Sequence, residues 1–311
     1  MRYVFSIYGV YPIMKKLSVR LFQWMALLSS FLLISCTFMK SDIPTSFSEG
    51  PVLQLQIDGQ VNTLTRTSLL QSPALQTIVI ADDVSYHRQQ KYQAIPLQSL
   101  LPRLPNEGTL QFTALDGFVA TIPDQLIQAQ GDAAQAWLAI EDPAQPWPAL
   151  KLGQPSAGPF YLVWVAPEKS HVSGEQWPYQ IAKISTSMPL EVRYPQLLPH
   201  SDGINYASAV RGLQIFTKNC ATCHRLNQGG DASIGPDLNI PMNPTAYFQE
   251  AALRKLIRDP GSVRTWQQSS MPGFKEEIIS EIELDDLLVY LKQMATQHPQ
   301  KTVIAPSVRA D

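Results

Sequence analysis

The sequence predicts a multidomain fold: a β-rich (α+β) N-terminal domain over residues 51-190, then an all-α domain over residues 206-296. Three observations carry this. From Pro51 onward, apolar and β-branched residues come in short runs bounded by Gly, Pro and Asp, which is strand punctuation. From Tyr206 the apolar spacing becomes helical and stays so. Between the two, "PLEVRYPQLLPHSDG" carries three prolines and reads as an extended linker, residues 191-205.

The 311 residues hold 24 basic and 26 acidic side chains, a formal charge of -2. Such a balance offers no basic field for nucleic acid, and no charge run marks a tail. The 25 prolines are scattered rather than gathered in a tract, so they punctuate a folded chain.

The first segment, residues 1-36, has the character of an address. Met14, Lys15, Lys16 and Arg20 precede the apolar run "LFQWMALLSSFLLI", which is short for a membrane span of about 20 residues. Residues 1-13 add nothing that a signal needs, so Met14 is a second candidate start. The following "LLISC" resembles the lipobox of bacterial lipoproteins, which implies cleavage before Cys36 and lipidation of that cysteine. Several fatty chains on one cysteine hold a protein on a membrane, where one alone binds marginally. Thr37 in place of Asp implies passage to the outer membrane in such lipoproteins. Residues 37-50 are small and polar, a tether.

Strands are expected in "VLQLQIDGQV", "LQTIVIADDV", "GTLQFTALDGFVATIP", "AWLAIED", "GPFYLVWVAPE" and "WPYQIAKISTSM", with short helices in "IPLQSLLPRL" and "PDQLIQAQGDAA". Three helices are expected beyond the linker: "YASAVRGLQIFTKNCATCH", "NPTAYFQEAALRKLIRDP" between Asn-Pro and Asp-Pro, and "SEIELDDLLVYLKQMA", where Ser280 and Glu283 have capping-box spacing. Residues 297-311 form a tail.

Cys220-Ala-Thr-Cys223-His224 is C-x-x-C-H, the attachment sequence of c-type haem. Two thiols three positions apart on a helical turn can each form a thioether with one porphyrin vinyl group, which places the adjacent imidazole beneath the iron. With three cysteines and five histidines in the chain, chance yields the pattern in roughly one such sequence in two thousand. A thioredoxin-like pair needs a βαβ setting that this helical region lacks, and a structural zinc site needs a fourth ligand. One covalent haem c is therefore the expected cofactor, with His224 as the proximal metal ligand.

A sixth ligand is expected from a methionine thioether. Met242 lies 18 residues after His224 and Met271 lies 47 after it. The longer path leaves room to wrap a helix round the macrocycle, so Met271 is the choice, and Met294 is assigned to core packing.

Residues 206-296 resemble a class I cytochrome c: "AVRGLQIFTKNCATCH" is similar to its first helix, "IGPDL" to its post-haem loop, "SMPGF" to its Met loop and "LDDLLVYLKQM" to its last helix. The resemblance implies that the Pro236 carbonyl accepts a hydrogen bond from the proximal imidazole, raising its basicity. It also implies that Gly212 and Tyr290 stand where the first and last helices cross. Trp266 is a candidate donor to a haem propionate, though an aromatic in such a loop is more often a wall.

In residues 51-190, "YQAIPLQSLLPRL", "ALDGFVATIP" and "GPFYLVWVAPE" resemble the pterin-binding domain of sulfite-oxidase-type molybdenum enzymes. That family ligates molybdenum through a cysteine, yet none lies between Pro51 and Tyr206. Arginines for a pterin phosphate are few in this region: Arg66, Arg88 and Arg103. The domain therefore reads as a non-catalytic relative without molybdopterin, and no catalytic residue is assigned. His87 and His171 read as surface-loop residues. Trp137, Trp147, Trp164 and Trp177 suit an aromatic binding face or core packing. Asp82 and Asp83 should point to opposite faces of a strand, in a turn or solvated loop.

Together these features describe a lipid-anchored cytochrome at the periplasmic face of a bacterial membrane, with the outer membrane favoured. It would pass electrons to redox partner proteins in the periplasm or membrane, with the β-rich domain for docking. Two rivals differ in kind: a haem-containing, molybdenum-dependent oxidoreductase or a subunit of one, and a haem-based sensor in which Met271 leaves the iron.

Overall fold

The computed structural model describes residues 50–101, 104, 108–265 and 271–297. All described residues belong to one compact unit. Cys36, Arg103 and Trp266 lie outside them.

The N-terminal region is β-rich, as its punctuation predicts. One sheet has the order β2-β1-β9-β5-β6, built from β1 (Val52–Ile57), β2 (Gln60–Thr65), β5 (Thr109–Ala114), β6 (Val119–Pro123) and β9 (Ile181–Ser187). The other has the order β3-β4-β7-β8, from β3 (Gln76–Asp83), β4 (Arg88–Pro96), β7 (Gln135–Ile140) and β8 (Phe160–Val165). Pairing is antiparallel except for the parallel contact of β1 with β9. Alternation decides the faces: Leu53, Leu55 and Ile57 of β1 turn into the core while Val52, Gln54 and Gln56 face out. The apolar run of β8, by contrast, is buried along Phe160–Trp164.

The strand expectations need three corrections. "VLQLQIDGQV" is a hairpin, because Asp58 and Gly59 adopt positive φ (48° and 79°) and close the two-residue turn whose twist matches paired strands. Strand β4 was not expected, since "RQQKY" hides its pattern behind polar side chains on the exposed face, with Tyr92, Ala94 and Ile95 buried. Asp83 is not in a solvated loop. It is buried, accepting from the Tyr92 hydroxyl at 2.8 Å and from the backbone N–H groups of Ser85 and Tyr86 at 2.9 Å, while Asp82 points to solvent.

Trp164 and Trp177 are buried, Trp137 and Trp147 pack against the same core, and Trp147 meets Tyr92 edge-on at 4.9 Å. His87 and His171 are exposed at positive-φ turn positions.

The helical region contains α1 (Tyr206–Asn219), α2 (Pro244–Tyr247), α3 (Glu250–Arg258) and α4 (Glu281–Met294). The capping box at Ser280 forms, with the Ser280 N–H donating to Glu283 at 2.7 Å and the Glu283 N–H returning to the Ser280 hydroxyl at 3.3 Å. The single middle helix expected from "NPTAYFQEAALRKLIRDP" is two. Phe248 and Gln249 take extended backbone (ψ 140° and 143°), and the break turns Phe248 against the helical core.

Residues 191-205 are not the extended linker expected. Pro189 caps a helical turn at Leu190–Arg193, and Pro195 is the first residue of another at Pro195–Leu197, where proline's fixed φ suits the position. Leu190 and Leu197 are buried in the helical core, and the Tyr290 hydroxyl donates to the Leu197 carbonyl at 2.8 Å.

Helices α1 and α4 cross at Gly212. A Cβ there would collide with the Asp286 carbonyl and come within 2.6 Å of the Tyr290 Cβ, so only glycine lets the backbones approach. The crossing is locked by buried Asp286, which accepts from Ser208 (2.5 Å) and Arg211 (2.6 and 2.8 Å), and by the Phe216 and Tyr290 rings at 5.6 Å. Gly212→Ala should therefore destabilise the helical region by about 2–3 kcal/mol through overpacking. A lowered urea midpoint, followed by far-ultraviolet circular dichroism, is the check, and an unchanged midpoint would contradict this crossing.

Candidate functional site

The helical path of α1 runs on into the cysteine motif. The Cys220 N–H donates to the Phe216 carbonyl (2.8 Å), and the Cys223 and His224 N–H groups donate to Cys220 O (3.1 and 2.8 Å), so the motif is one compact turn. Neither cysteine is in a disulfide. Burial, reinforced by the charge of Glu175, pushes both thiols up to about 12.

The chain then loops back beneath His224. The Gly235 N–H donates to Cys223 O at 2.8 Å, and His224 Nδ1 lies 2.8 Å from the Pro236 carbonyl. A carbonyl only accepts, so Nδ1 carries the proton and the Nε2 lone pair remains free. Burial lowers the pKa of His224, and the Pro236 carbonyl opposes that shift in part. A side chain at position 235 would meet the imidazole at 2.5–2.6 Å, so glycine is required beside the ring.

Polar side chains fix this loop from below. Asp237 accepts from the N–H groups of Asn227, Gln228, Asn239 and Ile240 at 2.7–3.2 Å. Buried Asn239 and Asn243 donate to the carbonyls of Met294 (2.8 Å) and Leu291 (3.1 Å), satisfying the exposed end of α4.

Above the turn is a cavity of ≈ 400 Å³, a size typical of cofactor sites. Its lining includes Cys220, Cys223 and His224, apolar residues of α3 (Leu253, Leu256, Ile257) and of α4 (Leu287, Leu291), and the loop from Met271 to Phe274. Met271, 36% exposed, borders the cavity; Met242 is 53% exposed and is not among the lining residues; Met294 is buried in the helical core. The donor set fits a haem: two thiols and one free imidazole nitrogen on the turn, a thioether on the same cavity, and apolar walls. Pro236 is present as well, at the carbonyl that orients His224.

Two residues that sequence reasoning missed come from outside the helices. Asp231, in the loop between His224 and Pro236, accepts from Arg193 through two bonds of 2.7 Å, from the Tyr194 hydroxyl at 2.8 Å and from Gln111 of β5 at 2.7 Å. Burial alone would raise its pKa, but these donors outweigh it and hold the carboxyl below the ordinary range. The second is Glu175, in the turn Gly174–Gln176 of the β-rich region, which lines the cavity and accepts from the Thr222 hydroxyl at 3.4 Å. The Val119 N–H also donates to Thr222 O (3.2 Å), and Lys218 donates to His171 O (2.7 Å). Neither residue had a local sequence signal, because each acquires its role only when distant segments meet.

The depressed pKa of Asp231 has a sign. Its stabilisation is fully present above the unfolded carboxyl pKa of about 4 and is lost as pH falls through the lower folded value. Asp231→Asn should lower stability at pH 7 by about 2 kcal/mol and flatten the decline between about pH 4 and pH 2. Denaturant midpoints across that range measure both effects, and an unchanged acid slope would contradict the clamp.

Comparison with curated proteins gives no match. Residues 209–295 match the family model described as Cytochrome c, a span that takes in α1, the attachment turn, the cavity and α4. The C-terminal region is thus a cytochrome c domain, which implies covalently bound haem c and a haem-based role in electron transfer.

Proposed function

We propose that this chain is a membrane-anchored, periplasm-facing monohaem cytochrome c that relays single electrons between protein partners, with its β-rich region as the docking and positioning part. The observation that carries it is the convergence of Cys220, Cys223, His224 and Met271 on one apolar cavity, with His224 Nδ1 engaged by Pro236. Haem c supplies a one-electron iron couple when bound.

The residues divide the work. Cys220 and Cys223 would hold the macrocycle through thioethers. His224 would present Nε2 to the iron, and the Pro236 hydrogen bond orients its ring and would strengthen it as a ligand. Met271 would supply a thioether ligand to the iron, which would hinder substrate binding and raise the potential. Leucines of α3 and α4 exclude water.

The lipid anchor on Cys36, the outer-membrane preference and the periplasmic setting rest on the sequence up to and including Thr37. Among the described residues no helix is long and apolar enough to cross a membrane. We read the β-rich region as a relative of the sulfite-oxidase pterin-binding domain that has lost its metal, since it contains no cysteine.

Met271→Ala should abolish the weak near-infrared absorption of Met-ligated ferric haem while leaving the thioethers intact. Retention of that band would move the sixth ligand elsewhere. Cys36→Ser should shift the holoprotein from the membrane fraction to the soluble periplasmic fraction and remove incorporation of radiolabelled palmitate. Continued labelling would rule out this anchor.

A further inference from the structure

The cavity has one polar corner, and a second region of the protein helps build it. Glu175 stands in a turn fixed by the β-rich core: the Ser173 N–H donates to Gln176 Oε1 at 3.0 Å, and the indole N–H of buried Trp164 donates to the Gln176 carbonyl at 2.8 Å. The Glu175 carboxyl is thereby delivered to the cavity beside Cys220 and Cys223, against the hydroxyl of Thr222 between them. On the same lining, Asn219 is buried and its Oδ1 has no hydrogen-bond partner, while its Nδ2 donates to Ile215 O at 3.3 Å. At the edge of an apolar cavity a carboxyl with the Thr222 hydroxyl as donor is poorly solvated, an arrangement that favours a proton on it.

We propose that Glu175 tunes the potential of the haem iron from the β-rich region and links its redox state to one proton. This rests on the haem assignment made above. Ferric iron carries one more positive charge than ferrous, so a carboxylate at the thioether edge stabilises the ferric form. When one electron arrives from a protein donor, that charge is lost, and the Glu175 carboxylate takes up one proton from water. On oxidation both leave, so charge and atoms balance. Burial, opposed by the Thr222 hydroxyl, pushes Glu175 up to about 7, which brings the exchange near neutral pH.

The charge of Glu175 acts on Tyr179 of the β-rich region and on Cys220 and Cys223 of the turn, Asp116 acts on the same Tyr179 and Cys223, Lys218 lies on α1 just before the turn, and His224, Tyr247 and Arg264 share the cavity lining. Burial raises Tyr179 and lowers Lys218, whose ammonium is held by His171 O. The thiols are consumed in the thioethers. Asp116 is the other carboxyl in this group, and it is exposed.

Spectroelectrochemical midpoints of the full-length holoprotein, taken between about pH 6 and pH 9, test the proposal. The wild-type potential should fall as pH rises. Glu175→Gln should flatten that dependence and, at the alkaline end, shift the ferric/ferrous equilibrium about tenfold toward ferrous iron, about 59 mV for a one-electron couple. Asp116→Asn, the same charge change nearby, should keep the wild-type slope. A slope retained in Glu175→Gln, or lost in Asp116→Asn instead, would overturn the assignment. If Glu175→Gln does not load haem, a flat wild-type profile overturns it alone. A sloped profile whose position moves in Glu175→Asp supports it. Wild-type protein without a covalent haem signal would defeat the haem assignment itself, an outcome separate from an unshifted potential.

Discussion

The imidazole of His224 has one useful orientation, and the 2.8 Å contact between its Nδ1 and the Pro236 carbonyl sets it. A loop carbonyl can hold a ring only if the loop itself cannot drift. The surrounding structure meets that demand from several directions. Gly235 lets the backbone run against the ring, Asp237 gathers four backbone N–H groups, and Asn239 ties the loop to the last turn of α4. Helix α4 is in turn fixed to α1 at Gly212, and α1 ends at the cysteines. The chain of constraints is closed on itself, so the ligand nitrogen and the attachment points are set by one connected set of contacts.

The β-rich region enters the same circuit at two places on either side of His224. Asp231 is gripped by Gln111, Arg193 and Tyr194 before the chain reaches Pro236, while Thr222 is touched by Val119 and Glu175 just before the histidine. These are charged or backbone hydrogen bonds of moderate number, so their worth lies in geometry more than in bulk stabilisation. An electron carrier gains from such stiffness, because a ligand set that hardly moves between oxidation states wastes little energy in rearrangement.

What the sequence revealed follows from the range of the forces involved. The attachment motif and the limits of α1 and α4 are local: they depend on thiol spacing, a helical apolar period and a capping box read within a few residues. Most strands were legible for the same reason. Strand β4 was not, because its exposed face is glutamine and lysine and its partners are supplied by β3 and β7. Asp83, Glu175 and Asp231 were illegible as buried or bridging groups, since a carboxylate in a turn looks solvated until residues from far along the chain arrive to meet it. The proline-rich segment misleads in a different way: its prolines suggest extension, whereas Pro189 caps one helical turn and Pro195 opens another.

That segment alters where the protein can be cut. Leu197 lies in the helical core and its carbonyl receives the hydroxyl of Tyr290 at the helix crossing. The seam between the two regions is therefore not where the helical pattern starts at Tyr206 but at least sixteen positions earlier, before Leu190. A gene fusion or truncation designed on the apparent start of the cytochrome would sever a piece of its own core. The piece that keeps the helical core whole therefore includes the joint.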